Sequence, residues 1–80
     1  MLHVGAQTKR STSEVMDKAQ HFFGDGGLGL QAESSSENCL FFAGGGGYVH
    51  VVVCEGDSRT EVDVETREWE KHAKQFLKVL

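Results

Sequence analysis

One stretch constrains this chain more than any other. Tyr48-Val49-His50-Val51-Val52-Val53-Cys54 alternates, turns at Glu55-Gly56-Asp57-Ser58, alternates again through Thr60, Val62 and Val64, and changes to helical spacing from Thr66. A period of two followed by a period of about 3.6 buries one consistent face, because alternate strand residues and every third or fourth helix residue share a side. The spacing therefore predicts a hairpin running into a helix and fixes which side of the sheet is core.

The N-terminal half supplies the rest of a sheet. Leu2, Val4, Ala6 and Thr8 alternate with His3, Gly5, Gln7 and Lys9, the pattern of a short strand. Ser11-Thr12-Ser13-Glu14 reads as a capping box, followed by Val15, Met16, Ala19, Phe22 and Phe23 on one helical stripe. Gly24 is placed to end that helix in a left-handed conformation. Leu28, Leu30 and Ala32 predict a second strand before a Ser34-Ser35-Ser36 turn, and Asn38 to Ala43 a third before the reversal at Gly44 to Gly47.

Turn chemistry proposes registers. With Gly56 and Asp57 central, Val53 faces Thr60, Val51 faces Val62 and Val49 faces Val64; with Gly45 and Gly46 central, Phe42 faces Val49 and Leu40 faces Val51. A three-residue loop at Ser34 to Ser36 sets Leu30 against Leu40 and Leu28 against Phe42. The last helix is expected from an N-cap at Thr66, with Trp69, Ala73, Phe76, Leu77 and Leu80 as its stripe and Glu70 and Lys74 as an i, i+4 pair. Truncating a well-buried Trp69 would cost about 3–5 kcal/mol.

The expected fold is α+β, β-α-β-β-β-β-α, a five-stranded antiparallel sheet with both helices on the valine face. A right-handed crossover through the first helix favours the strand order 1-5-4-3-2. With Gly44-Gly45-Gly46-Gly47 and Thr66-Arg67-Glu68-Trp69 as its nearest local markers, the element string resembles a single repeat of the TATA-binding protein. It also resembles a minimal helix-grip domain of the START or polyketide-cyclase-like kind. The resemblance is one of topology over the whole chain and carries no site residue across. It implies DNA binding in the first case, and apolar-ligand binding or cyclisation in the second.

Size and charge limit the function classes. Eighty residues make one domain, 1–80, with a stability of roughly 4–12 kcal/mol at the usual per-residue figure. Eight Lys and Arg against twelve Asp and Glu leave a net charge of −4, which argues against nucleic acid and against an anionic membrane as partners. No apolar run is long enough to span a bilayer, and Met1 to Arg10 lacks the apolar core of a signal peptide. The cytoplasm is the expected compartment, with Cys39 and Cys54 reduced.

Few side chains are placed for chemistry. Gly24-Asp25-Gly26-Gly27-Leu28-Gly29 fits the dinucleotide fingerprint, but it follows a helix and opens a strand, the reverse of what pyrophosphate binding needs. Gly44 to Gly47 reads as a hairpin rather than an anion nest. His50 and Cys54 lie about 13 Å apart along one strand, too far to share an ion with Cys39. No metal or cofactor is expected. His50 opposite Asp63 is the best acid-base pairing, yet no nucleophile accompanies it and a catalytic role is not expected.

The second sheet face is unusual. Cys39, Phe41, Ala43, Tyr48, His50, Val52 and Cys54 share it, bordered by Glu61, Asp63 and Glu65, where a solvated face normally reads polar. Phe41, Tyr48, His50 and Val52 are the candidate interface, for a protein partner or, most simply, a two-fold homodimer by face or edge packing. The alternative is a small apolar ligand held between the last helix and the sheet by Phe42, Trp69 and Phe76. A pocket of about 300 Å³ would forfeit about 7 kcal/mol when empty, a large share of the stability of so small a domain.

Overall fold

The computed structural model describes residues 2–24, 27–35 and 38–80, with the side chains of 34 and 35 left aside. The order is β1 (Leu2–Thr8), α1 (Thr12–Phe23), β2 (Gln31–Ser35), β3 (Cys39–Gly44), β4 (Gly47–Glu55), β5 (Thr60–Arg67) and α2 (Glu70–Lys78). The strands form one sheet in the order β1-β5-β4-β3-β2, every neighbour antiparallel. This is the α+β arrangement expected from the spacing, with both helices on the valine face.

Helix α1 starts where the capping residues predict. The Ser11 hydroxyl accepts from the Glu14 N–H at 3.3 Å, while the Glu14 carboxylate accepts the Ser11 hydroxyl proton rather than reaching the backbone N–H of a full capping box. Val15, Met16, Ala19 and Phe23 are buried against the sheet. At its end Gly24 does not adopt a left-handed conformation; its φ is −94° and its N–H donates to the Gln20 carbonyl at 2.9 Å. The chain instead folds back on the helix terminus. Leu28 N–H donates to Phe22 O and Leu30 N–H to Phe23 O, so amides of the glycine-rich loop satisfy free helix carbonyls rather than facing an anion. Asp25 and Gly26 of that motif lie outside the described residues.

Strands β1, β3, β4 and β5 keep the expected parity, and two registers change. Phe42 faces Val49 and Leu40 faces Val51, as the Gly45-Gly46 turn requires. Between β4 and β5, however, Val53 faces Val62, Val51 faces Val64 and Val49 faces Thr66, two residues from the expected pairing. The loop is four residues long, closed by Gly56 N–H donating to Arg59 O at 2.8 Å, so Glu55 rather than Val53 meets Thr60. The β2 pairing also departs: Ala32 meets Phe42 and Ser35 meets Leu40, with a register shift between Ala32 and Ser34. Ser34 and Ser35 belong to the strand rather than to a turn, while Ser36 lies outside the described residues. Leu28 and Leu30 precede the strand.

Thr66 is strand, not cap. It is fully buried, and its hydroxyl donates to the Tyr48 carbonyl at 2.7 Å. The chain then reverses at Glu68, whose φ is +75°, and α2 begins at Glu70 with Trp69 at the N-cap position, its side chain making no capping hydrogen bond. The Glu70 carboxylate accepts from the Glu68 N–H at 3.2 Å, which ties down this reversal. Ala73 and Phe76 are buried, and Trp69, Leu77 and Leu80 pack against the core from its margin. Among the described residues no helix is long and apolar enough to cross a membrane.

The core is one cluster on the helix side. Val49, Val51, Val53 and Val64 from the central strands are fully buried, and Phe23 lies between Phe42 and Phe76 with ring centroids 5.7 and 5.2 Å away. Even residues of β5 and odd residues of β4 point here, which sends the other set to the opposite face.

Candidate functional site on the outer sheet face

The outer face is built by β3, β4 and β5 from the residues the core rejects. Phe41 faces His50, Ala43 faces Tyr48 and Cys39 faces Val52 across the β3–β4 ladder. The Phe41 and Tyr48 rings stack, centroids 5.6 Å apart and planes 11° from parallel, and the His50 ring lies 5.8 Å from Phe41. Diagonal neighbours on one face are within reach of rings of this size. Phe41, Tyr48, His50 and Val52 are each half-buried because they shield one another, while Cys54 at the end of the strand is exposed.

An acidic column borders this patch. Glu65 faces His50, Asp63 faces Val52 and Glu61 faces Cys54. The expected opposition of His50 and Asp63 therefore does not form, since the four-residue loop slides β5 by two residues. Asp63 instead has His3 of β1 as its neighbour, with Nε2 3.7 Å from Oδ1. Gly5 lies opposite Asp63, and a Cβ there would come within 2.8 Å of its Oδ1, so the glycine makes room for this carboxylate. Gln7 donates to Glu61 at 3.3 Å.

Tyr48 links the apolar and acidic halves. Its hydroxyl donates to Glu65 Oε2 at 3.1 Å. Partial burial, then the hydrogen bond to Glu65 and the Glu65 charge, raise the phenol above its ordinary value of 10.0, with Arg67 opposing. The arrangement joins a stacked aromatic pair to a carboxylate through one hydrogen bond.

The residues of the ligand alternative sit elsewhere. Phe42 and Phe76 belong to the packed core at 1% and 0% exposure, and the Trp69 indole donates to the Gly44 carbonyl at 3.0 Å. A shallow surface groove runs instead between α1 and α2, floored by Phe22, Leu28 and Phe76 and rimmed by Lys18, His21 and His72. Sequence reasoning named Phe76 for a pocket but missed the α1 side of this groove, because Phe22 read as a core stripe residue and only the approach of the two rings to 5.5 Å makes a shared wall. Cys39 is half-buried and Cys54 exposed, both as free thiols. No family model, no curated protein and no solved structure matches this chain.

Proposed function

We propose that the protein is a non-enzymatic interaction module, working in the cytoplasm, that docks a partner protein on its outer sheet face. The observation that carries this reading is the Phe41–Tyr48 stack, with His50 and Val52 beside it, on the sheet face opposite the two helices, which none of the described elements covers. Aromatic residues are favoured in interfaces, and a platform of this kind gives a partner apolar area at little cost in side-chain entropy. The adjoining Glu61, Asp63 and Glu65 set the partner's charge. Its complement is an apolar centre flanked by Lys or Arg.

Peptide selection tests this directly. Random peptides displayed on phage and selected on the wild-type protein, with counter-selection on Phe41→Ser/Val52→Ser, should enrich sequences that join aromatic or aliphatic residues to Lys or Arg. Acid-rich peptides, or peptides that bind both proteins equally, would count against the reading. A second reading rests on the α1–α2 groove, whose apolar floor and Lys18 ammonium match a small amphiphilic carboxylate. Titration with a short-chain fatty acid should then shift Phe22 and Phe76 resonances; unmoved resonances at millimolar ligand would reject it.

A further inference from the structure

An open sheet ends in two edges, and each presents backbone N–H and C=O groups without a ladder partner. The edges here are β2 and β1, and they are built differently. The β2 strand is five residues long, contains Glu33, and shifts register against β3 between Ala32 and Ser34. Bulges and charges of this sort turn an edge away from further pairing. The β1 strand has neither device. It is LHVGAQT, free of Pro, Lys, Arg, Asp and Glu, and it pairs with β5 without interruption from Leu2 opposite Thr66 to Thr8 opposite Thr60.

Burial along β1 is also incomplete on the helix side. Leu2, Val4 and Ala6 are half-buried, whereas Val62 and Val64 one strand further in are 1% and 0% exposed. An added strand beside β1 would finish that row.

We propose that β1 pairs antiparallel with β1 of a second copy, joining two five-stranded sheets into one about a two-fold axis at Gly5. The sequence is self-complementary in that register. Val4 meets Ala6 and Leu2 meets Thr8 on the helix side, while Gly5 meets Gly5 and His3 meets Gln7 on the outer side. Electrostatics favour this edge over face-to-face packing. Two chains of net charge −4 repel, but the acidic columns on β5 and its counterpart would stand three strand spacings apart, about 14 Å. That exceeds the screening length of about 8 Å at physiological salt. Packing the outer faces together would bring the carboxylates to about 10 Å across a sheet interface from which water is expelled. One strand pair also buries less than a standard interface, so the dimer is a micromolar rather than a nanomolar one. The proposal stands independently of the docking role of the outer face.

Sedimentation equilibrium from about 1 µM to about 1 mM, with amide hydrogen exchange at both ends of the range, provides the test. Wild-type mass should double with concentration, and alternate β1 amides should gain protection while β2 amides and the Phe41 and Val52 signals stay unchanged. His3→Lys/Gln7→Lys sets like charges against each other across the axis while within its own chain Lys at position 3 lies opposite Glu65 and beside Asp63 and Lys at position 7 lies opposite Glu61, so the monomer keeps its fold by near-ultraviolet circular dichroism. Its dimer should weaken about tenfold, and His3→Lys/Gln7→Glu should restore it to within about threefold. A monomer at 1 mM would overturn the proposal. So would concentration-dependent protection at β2, or at Phe41 and Val52, in place of β1, or a dimer indifferent to the lysine pair.

Discussion

Thr66 separates two accounts of the β5–α2 junction, and substituting it measures the difference. As a helix N-cap it would be replaceable by Asp or Ser with little change, since all three side chains accept from the first-turn amides. As the buried end of β5, it holds a hydroxyl with no exposed surface that donates to the Tyr48 carbonyl at 2.7 Å. Thr66→Val keeps the shape and removes the donor, which costs about 1–2 kcal/mol through the lost bond and the carbonyl left short of one partner. Thr66→Asp places a carboxylate in a fully buried position beside that carbonyl, a loss of several kcal/mol against a total of roughly 4–12. Urea unfolding followed by Trp69 fluorescence and by circular dichroism reads both changes. With a slope of about 1 kcal/mol/M, Thr66→Val should lower the midpoint by about 1–2 M, and Thr66→Asp should leave little folded protein in buffer. A Thr66→Asp protein as stable as wild type would refute the strand placement and restore the cap.

Three further outcomes follow from the same geometry. Gly45 has φ +60°, and a Cβ there would lie 2.6 Å from the Trp69 ring, so Gly45→Ala should cost about 1–3 kcal/mol by urea unfolding and alter the Trp69 emission. Ser11→Ala removes the acceptor for the Glu14 N–H and should cost about 0.5–2 kcal/mol by the same assay. The Tyr48 phenol is raised by folding, so the native state holds its proton more tightly than the unfolded chain: stability from this group is complete below about pH 10, the unfolded value, and declines as pH rises through the folded one. Tyr48→Phe should flatten that alkaline decline in a pH series of unfolding midpoints.

The parity of the strands was legible from the chain because a single-residue slip exposes every valine at once, and Val49, Val51, Val53, Val62 and Val64 admit one buried side. A slip of two residues leaves that parity untouched. The β4–β5 register was therefore decided by the loop, and the four-residue Gly56–Arg59 loop competed with a two-residue turn on grounds that side-chain alternation does not contain. The slip also carried His50 from Asp63 to Glu65, so the acid-base pairing failed with the register while the membership of the outer face survived. Thr66 could have been recognised: it continues the even-numbered run of Thr60, Val62 and Val64, and a β-branched residue suits a strand as well as a cap. The bulge in β2 had no such signal, because Ser34 and Ser35 offer no apolar pattern for a register to follow. The α1–α2 groove depends on how two helices meet, which no local period encodes.

Thiol reactivity at neighbouring positions tests the central claim, that odd and even residues of β4 face core and solvent respectively. In a Cys39→Ser/Cys54→Ser background, Val52→Cys should react with an aromatic disulfide reagent within about tenfold of the unfolded rate. Val51→Cys should react at least about 1,000-fold more slowly, since a stability of about 4 kcal/mol or more gates its exposure. Rapid labelling at position 51 with protection at position 52 would contradict the account.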